Sequence, residues 1–138
     1  MQISKLLKLK INDTKEFEVL DYETGKTSQT YNPKTKTMED TPAFISLYYA
    51  GSKHIKKLQL ELQRNAIEAI KDKKEIPNEE EIEELFLYEL IAGYRGFKDG
   101  NGKELEFNKE NTKILLESQY LRMLIEEVSG NMGNFSEK

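Results

Sequence analysis

The sequence predicts an α+β fold, with a small N-terminal antiparallel β-sheet followed by a helical C-terminal part. Apolar and polar residues alternate at 7–12 and again at 17–21, the period of strands with one buried face. Beyond residue 51 the apolar residues recur every three or four positions, and Ser52, Asn78 and Asn108 stand where helix caps are needed. The chain has 138 residues, 37% hydrophobic and 33% charged, which suits a single domain over 1–138 with its core built from short stripes. Within it, 1–51 is expected to be mainly β, 52–130 mainly α, and 131–138 a tail.

Leu7, Leu9 and Ile11 alternate with Lys8, Lys10 and Asn12, which predicts a first strand, with a membrane-surface helix as the rival. Lys5, Lys8 and Lys10 interrupt the apolar run, so it does not read as a secretory signal, and no stretch has membrane-spanning length. Phe17, Val19 and Asp21 continue the alternation, and the turn around Gly25 makes this hairpin chemistry. From 27 to 42 the chain is rich in Thr, Lys and Asn without an apolar period, and reads as a flexible loop. "AFISLYYAG" is then a strand apolar on both faces, the second face awaiting helices or a partner.

Ser52 caps a helix to about Lys73, with Ile55, Leu58, Leu62, Ala66 and Ala69 in one stripe and Ile70 at its edge. Leu60 and Ile67 lie on the flank, which is either a contact surface or the breadth of a core face. Pro77 ends what precedes it. Asn78 caps the next helix, Glu81 holds the capping-box position, and Glu79–Glu81 complement the helix dipole. That helix is expected over 79–94, capped by Gly96, with Ile82, Leu85, Phe86 and Leu90 toward the core. Leu87, Tyr88 and Ile91 cover its other side, so it must be sandwiched or bind something.

"FKDGNGKELEFNKEN" admits a calcium loop or a tight turn. An EF-hand register with Gly102 at position six puts Phe97 at one and Asn108 at twelve, and a register from Asp99 puts Glu104 where glycine is required. Neither holds calcium, so the segment reads as a short hairpin near 97–107. Asn101–Gly102 would adopt positive φ at its turn, Leu105 and Phe107 would form a strand, and Asn108 would cap a helix carrying Ile114 and Leu115. Leu121, Leu124, Ile125 and Val128 predict a last helix that ends at Gly130. Phe135 either dangles beyond it or folds back to anchor the tail.

Little in the sequence suggests catalysis. His54, the single histidine, lies between lysines and reads as surface; no P-loop, GxSxG, HExxH or dinucleotide motif occurs. Glu89 is the one carboxylate directed at an apolar stripe. Lysines at both ends of the first long helix, with Tyr48 and Tyr49, raise nucleic-acid binding, which the net charge of −4 opposes. The absence of cysteine excludes disulfides and thiolate chemistry.

Four segments, "GSKHIKKLQLELQRNA", "LIAGYRGF", "GKELEFNKENTKILLES" and "YLRMLIEEVSGNMGNF", together resemble the small tail-assembly chaperones of tailed bacteriophages and prophages. The resemblance rests on Ser52, Tyr94, Gly96, Phe97, Gly102, Lys103, Asn111, Leu121, Arg122, Asn134 and Phe135. Gly51 departs from it where an acidic residue is usual, Tyr94 replaces the commoner tryptophan, and Gln119–Tyr120 replaces a proline and an aromatic. The resemblance implies a non-enzymatic protein without cofactor or metal, working in the cytoplasm of the bacterial host. Its partner would be the tape-measure protein, kept soluble until tail tube protein assembles around it, with homo-oligomerisation left open. Tyr49, Leu60, Ile67, Leu87, Tyr88 and Ile91 are the expected contacts. A structural connector or tail-completion component of the virion is the alternative, ahead of a nucleic-acid regulator.

Overall fold

Apolar and aromatic residues are dense in the segment after Pro42, and the sheet is built around it. In the computed structural model, which describes residues 1–75 and 78–137, β4 (Ala43–Tyr48) pairs antiparallel with β1 (Thr14–Val19) on one side and β5 (Ile91–Arg95) on the other. Ala43, Ile45 and Leu47 are buried, and Phe44, Ser46 and Tyr48 on the other face are half-buried. α3 (Glu79–Leu90) and α5 (Gln119–Ser129) pack on β4. The α+β architecture therefore follows the predicted division, an N-terminal sheet followed by a helical C-terminal part, except for a short helix ahead of β1 and for β5 as a late strand.

Across the sheet, Arg95 donates from Nε and Nη2 to the Glu16 carboxylate at 3.1 and 2.7 Å, and its guanidinium lies 4.1 Å from the centroid of the Phe44 ring. The two outer strands are thus clamped over the central one. The arginine holds the Glu16 carboxyl below its usual value through the hydrogen bond first and charge second.

Several sequence expectations are corrected here. Residues 7–11 are not a strand: α1 (Ile3–Lys8) is a short helix, because Ile3, Leu6 and Leu7 also fit helical spacing. Beyond it only Ile11 makes a bridge, to Ser136, since Phe135–Glu137 offers a partner too short for a ladder. The presumed loop at 27–42 holds β2 (Gln29–Asn32) and β3 (Thr37–Asp40), an antiparallel hairpin. It has no apolar period because it buries neither face: its strand residues are exposed except for half-buried Asn32. Polar pairs stitch it instead: Gln29 to Asp40, Asn32 to Glu39, and Thr30 with Thr41. The turn at Asp21–Lys26 does form, with Gly25 at φ +68°, and leads into this insert.

The helix from Glu79 stops at Leu90 rather than reaching 94. Ile91 takes extended geometry, and the next residues give their backbone groups to β4, which stabilises a stretch that Gly93 would weaken as helix. Gly96 is accordingly not a helix cap. It sits at φ +85° beyond β5, where an added Cβ would lie 2.3 Å from the Pro42 carbonyl oxygen. The core side of α3 is Leu87 and Leu90, while Leu85 is 36% exposed. Pro77 lies outside the described residues.

The Asp99–Gly102 turn is present with one change: Gly102 alone takes positive φ, at +79°. Asp99 Oδ1 accepts from the backbone N–H groups of Asn101 and Lys103, so this carboxylate is committed to the turn. A single Lys98–Glu104 bridge replaces the expected strands, and Phe107 remains exposed. Asn108 caps α4 (Lys109–Leu115), whose inward residues are Thr112, Leu115 and Leu116 rather than Ile114. Phe135 folds back completely. Carried on a final 3₁₀ turn (Met132–Phe135), it is fully buried and meets Phe17 edge-on at 5.4 Å and Tyr49 at 5.6 Å.

Candidate partner-binding surface

α2 (Lys53–Lys71) begins where Ser52 Oγ accepts from the Ile55 N–H. His54 stacks on Tyr48 at 4.2 Å and its Nε2 lies 3.3 Å from Glu89 Oε2. That contact joins the start of α2 to the end of α3. Along all 19 residues only Ile55 is buried. Leu58, Leu62, Ala66 and Ala69 are half-covered, as a single stripe requires. Leu60, Ile67 and Ile70 are 61%, 56% and 64% exposed. Lys56, Arg64 and Lys71 border them at helical spacing, so the surface is apolar with a basic edge.

The six expected contact residues therefore separate. Leu60 and Ile67 lie together on open surface. Tyr49 is half-buried against Phe135, its ring occupying the space above Gly51, where a Cβ would lie 2.6 Å from it. An acidic side chain at 51 has no room unless that ring moves. Leu87 and Ile91 are corrected: at 3% and 5% exposure both belong to the core, Leu87 beneath α3 and Ile91 in β5. The apolar surplus of this segment is used inside the fold, because β5 turns it into a sheet edge.

Tyr88 belongs to a second feature. A groove of about 960 Å³ runs between α3 and the α4–α5 pair, lined by Leu85, Tyr88 and Leu116 with Glu84, Glu89 and Glu117 among its charged rim. Arg122 crosses one end, donating to the Leu116 carbonyl oxygen and pairing with Glu84, whose carboxyl is held below its usual value by that hydrogen bond. The groove was not legible from sequence, since α3 and α4 are separated by β5 and the Asp99 turn. The local signals were Tyr88, already among the expected contacts, and Leu85, which sits one turn after Glu81 on an otherwise acidic face.

The eleven resemblance positions act mostly as scaffold. Tyr94 hydroxyl reaches the Glu106 carbonyl and Thr112 Oγ1 at 3.2 and 3.1 Å, and Phe97 meets the Tyr94 ring edge-on. Asn111 Nδ2 donates to the Glu106 carbonyl, and Asn134 Nδ2 to that of Val128. Gly96 and Gly102 take positive φ, Lys103 closes the Asp99 turn through its N–H, and Leu121 and Phe135 are core. Ser52 and Arg122 complete the set, as cap and cross-link.

Among the described residues no group of three His, Cys, Asp or Glu side chains is placed to hold a metal, and no helix is long and apolar enough to cross a membrane. Comparison with family models, curated proteins and solved structures finds no match to this chain.

Proposed function

We infer that this protein is a tail-assembly chaperone of a tailed bacteriophage or prophage, holding the tape-measure protein soluble in the host cytoplasm during tail morphogenesis. One observation carries the reading: α2 displays Leu60, Ile67 and Ile70 on open surface along a helix that buries only Ile55. Such a face suits another amphipathic helix, which would lay apolar residues between Leu60 and Ile67 and place carboxylates against Lys56, Arg64 and Lys71. A long helical client offers that chemistry repeatedly. The reading is further supported by the resemblance, one of whose positions, Ser52, caps α2.

Co-expression with a tape-measure protein, followed by co-purification and light scattering, tests it. A soluble stoichiometric complex, formed only when both chains are present, is the expected result. An insoluble client beside a free chaperone would remove the reading. Mass spectrometry of purified virions is the companion test: a chaperone is absent from finished particles, whereas a connector or completion protein is retained.

A further inference from the structure

α1 is too short to be stable by itself. It has six residues, none buried, whereas isolated helices are marginal in water below roughly 12–15 residues. Met1, Ile3, Leu6, Leu7 and Leu9 are 98%, 71%, 57%, 78% and 49% exposed. Ile3, Leu6 and Leu7 share one face by their spacing, and Lys5 and Lys8 stand behind it. Neither lysine has an ion-pair partner among the described residues. The segment is thus a cationic amphipathic helix with no cover of its own.

The groove beside α3 has the opposite character along one wall. Its floor is apolar, and Glu80 and Glu81 lie one turn before Glu84 and Leu85 on the same side of α3. Glu80 and Glu81 are exposed and unpaired among the described residues, as is Glu117 on the rim. Lys109 and Lys113 line the α4 wall and Arg122, paired with Glu84, stands at the end beside Glu80 and Glu81, so the acidic approach is the one along α3. Size agrees as well. A six-residue helix is about 9 Å long and about 10 Å across, roughly 700 Å³ as a cylinder, against a groove of about 960 Å³.

We propose that α1 of a second copy of this chain docks in this groove, its apolar face on Leu85, Tyr88 and Leu116 and its lysines toward Glu80 and Glu117. Reciprocal donation about a two-fold axis closes the assembly as a dimer. This pairing uses a surface separate from the α2 flank and stands without the chaperone reading.

Sedimentation velocity and light scattering of the full chain over a concentration series test it. The wild type is expected to dimerise with increasing concentration. Leu6→Asp with Leu7→Asp, changed at unburied positions, should stay monomeric and melt like the wild type does at dilutions where the wild type is monomeric. Lys5→Glu with Lys8→Glu, and separately Glu80→Lys with Glu117→Lys, should each weaken dimerisation about tenfold or more, and mixing the two variants should restore a complex. A wild type that is monomeric throughout overturns the proposal, as does a Leu6→Asp, Leu7→Asp variant that still dimerises, or a mixture that restores nothing. A monomer that sediments with phosphatidylserine vesicles through α1 overturns it in favour of a membrane-surface segment.

Discussion

α2 and α5 are both amphipathic helices with well-formed N-caps, Ser52 and Ser118, yet they use their apolar stripes differently. α5 has 11 residues and buries Leu121, Ile125 and Ser129 against β4, α3 and the Phe135 turn. α2 has 19 residues and buries one. An amphipathic pattern therefore specifies a helix and a face, and says nothing about whether that face meets the core or a partner. What distinguishes them is their neighbours: α5 packs on β4, α3 and the Phe135 turn, whereas burial on α2 is confined to Ile55 in its first turn.

The comparison breaks most directly at Phe135. If the α5 side stabilises the fold, Phe135→Ala should cost about 3–5 kcal/mol, read as a lowered urea midpoint. A wild-type midpoint would mean that the tail is only resting on the core. Gly96→Ala comes next: its backbone strain is worth roughly 1–3 kcal/mol, and the approach to the Pro42 carbonyl adds to it. A melt unchanged by that substitution would show that the β5 end relaxes freely.

A smaller effect is expected from the ion pair that crosses the groove. Arg122 holds the folded Glu84 carboxyl below its ordinary 4.5, so the pair stabilises the fold above that pH and its contribution is lost as pH falls through the lowered value. Melting temperatures between about pH 6 and pH 3 should converge for wild type and Glu84→Gln at the acid end, the gap at pH 6 being small because the pair is exposed to solvent. A gap that widens in acid contradicts this sign. Smallest of all is the change expected on α2, where Leu60→Asp with Ile67→Asp should alter stability by no more than about 0.5 kcal/mol while abolishing client retention in the co-purification. A variant that keeps its client moves the binding surface elsewhere.

Much of the fold was legible because much of it is local. Ser52, Asn78 and Asn108 each accept from an N–H three residues on, an interaction held within one turn of chain. Asp99 organises its own turn in the same way, and the apolar density of residues 43–48 announces a strand, though only the fold decides that Ala43, Ile45 and Leu47 are its buried face. Of the expected contacts, Leu60 and Ile67 were legible as a flank.

Tertiary structure decided what depends on distant neighbours. Ile91–Arg95 leaves helix because β4 offers an unpaired edge, and that choice carries Ile91 into the core beside Leu87. Phe135 is core rather than tail because Phe17 and Tyr49 leave a place for its ring. The hairpin at 29–40 closes through polar cross-strand pairs that no hydrophobic period announces. Caps and turns are set by groups a few bonds apart, so the chain encodes them directly. Strand partners and burial arise from surfaces that meet only after folding, where the free energy of removing apolar area from water and pairing backbone groups outweighs local preference.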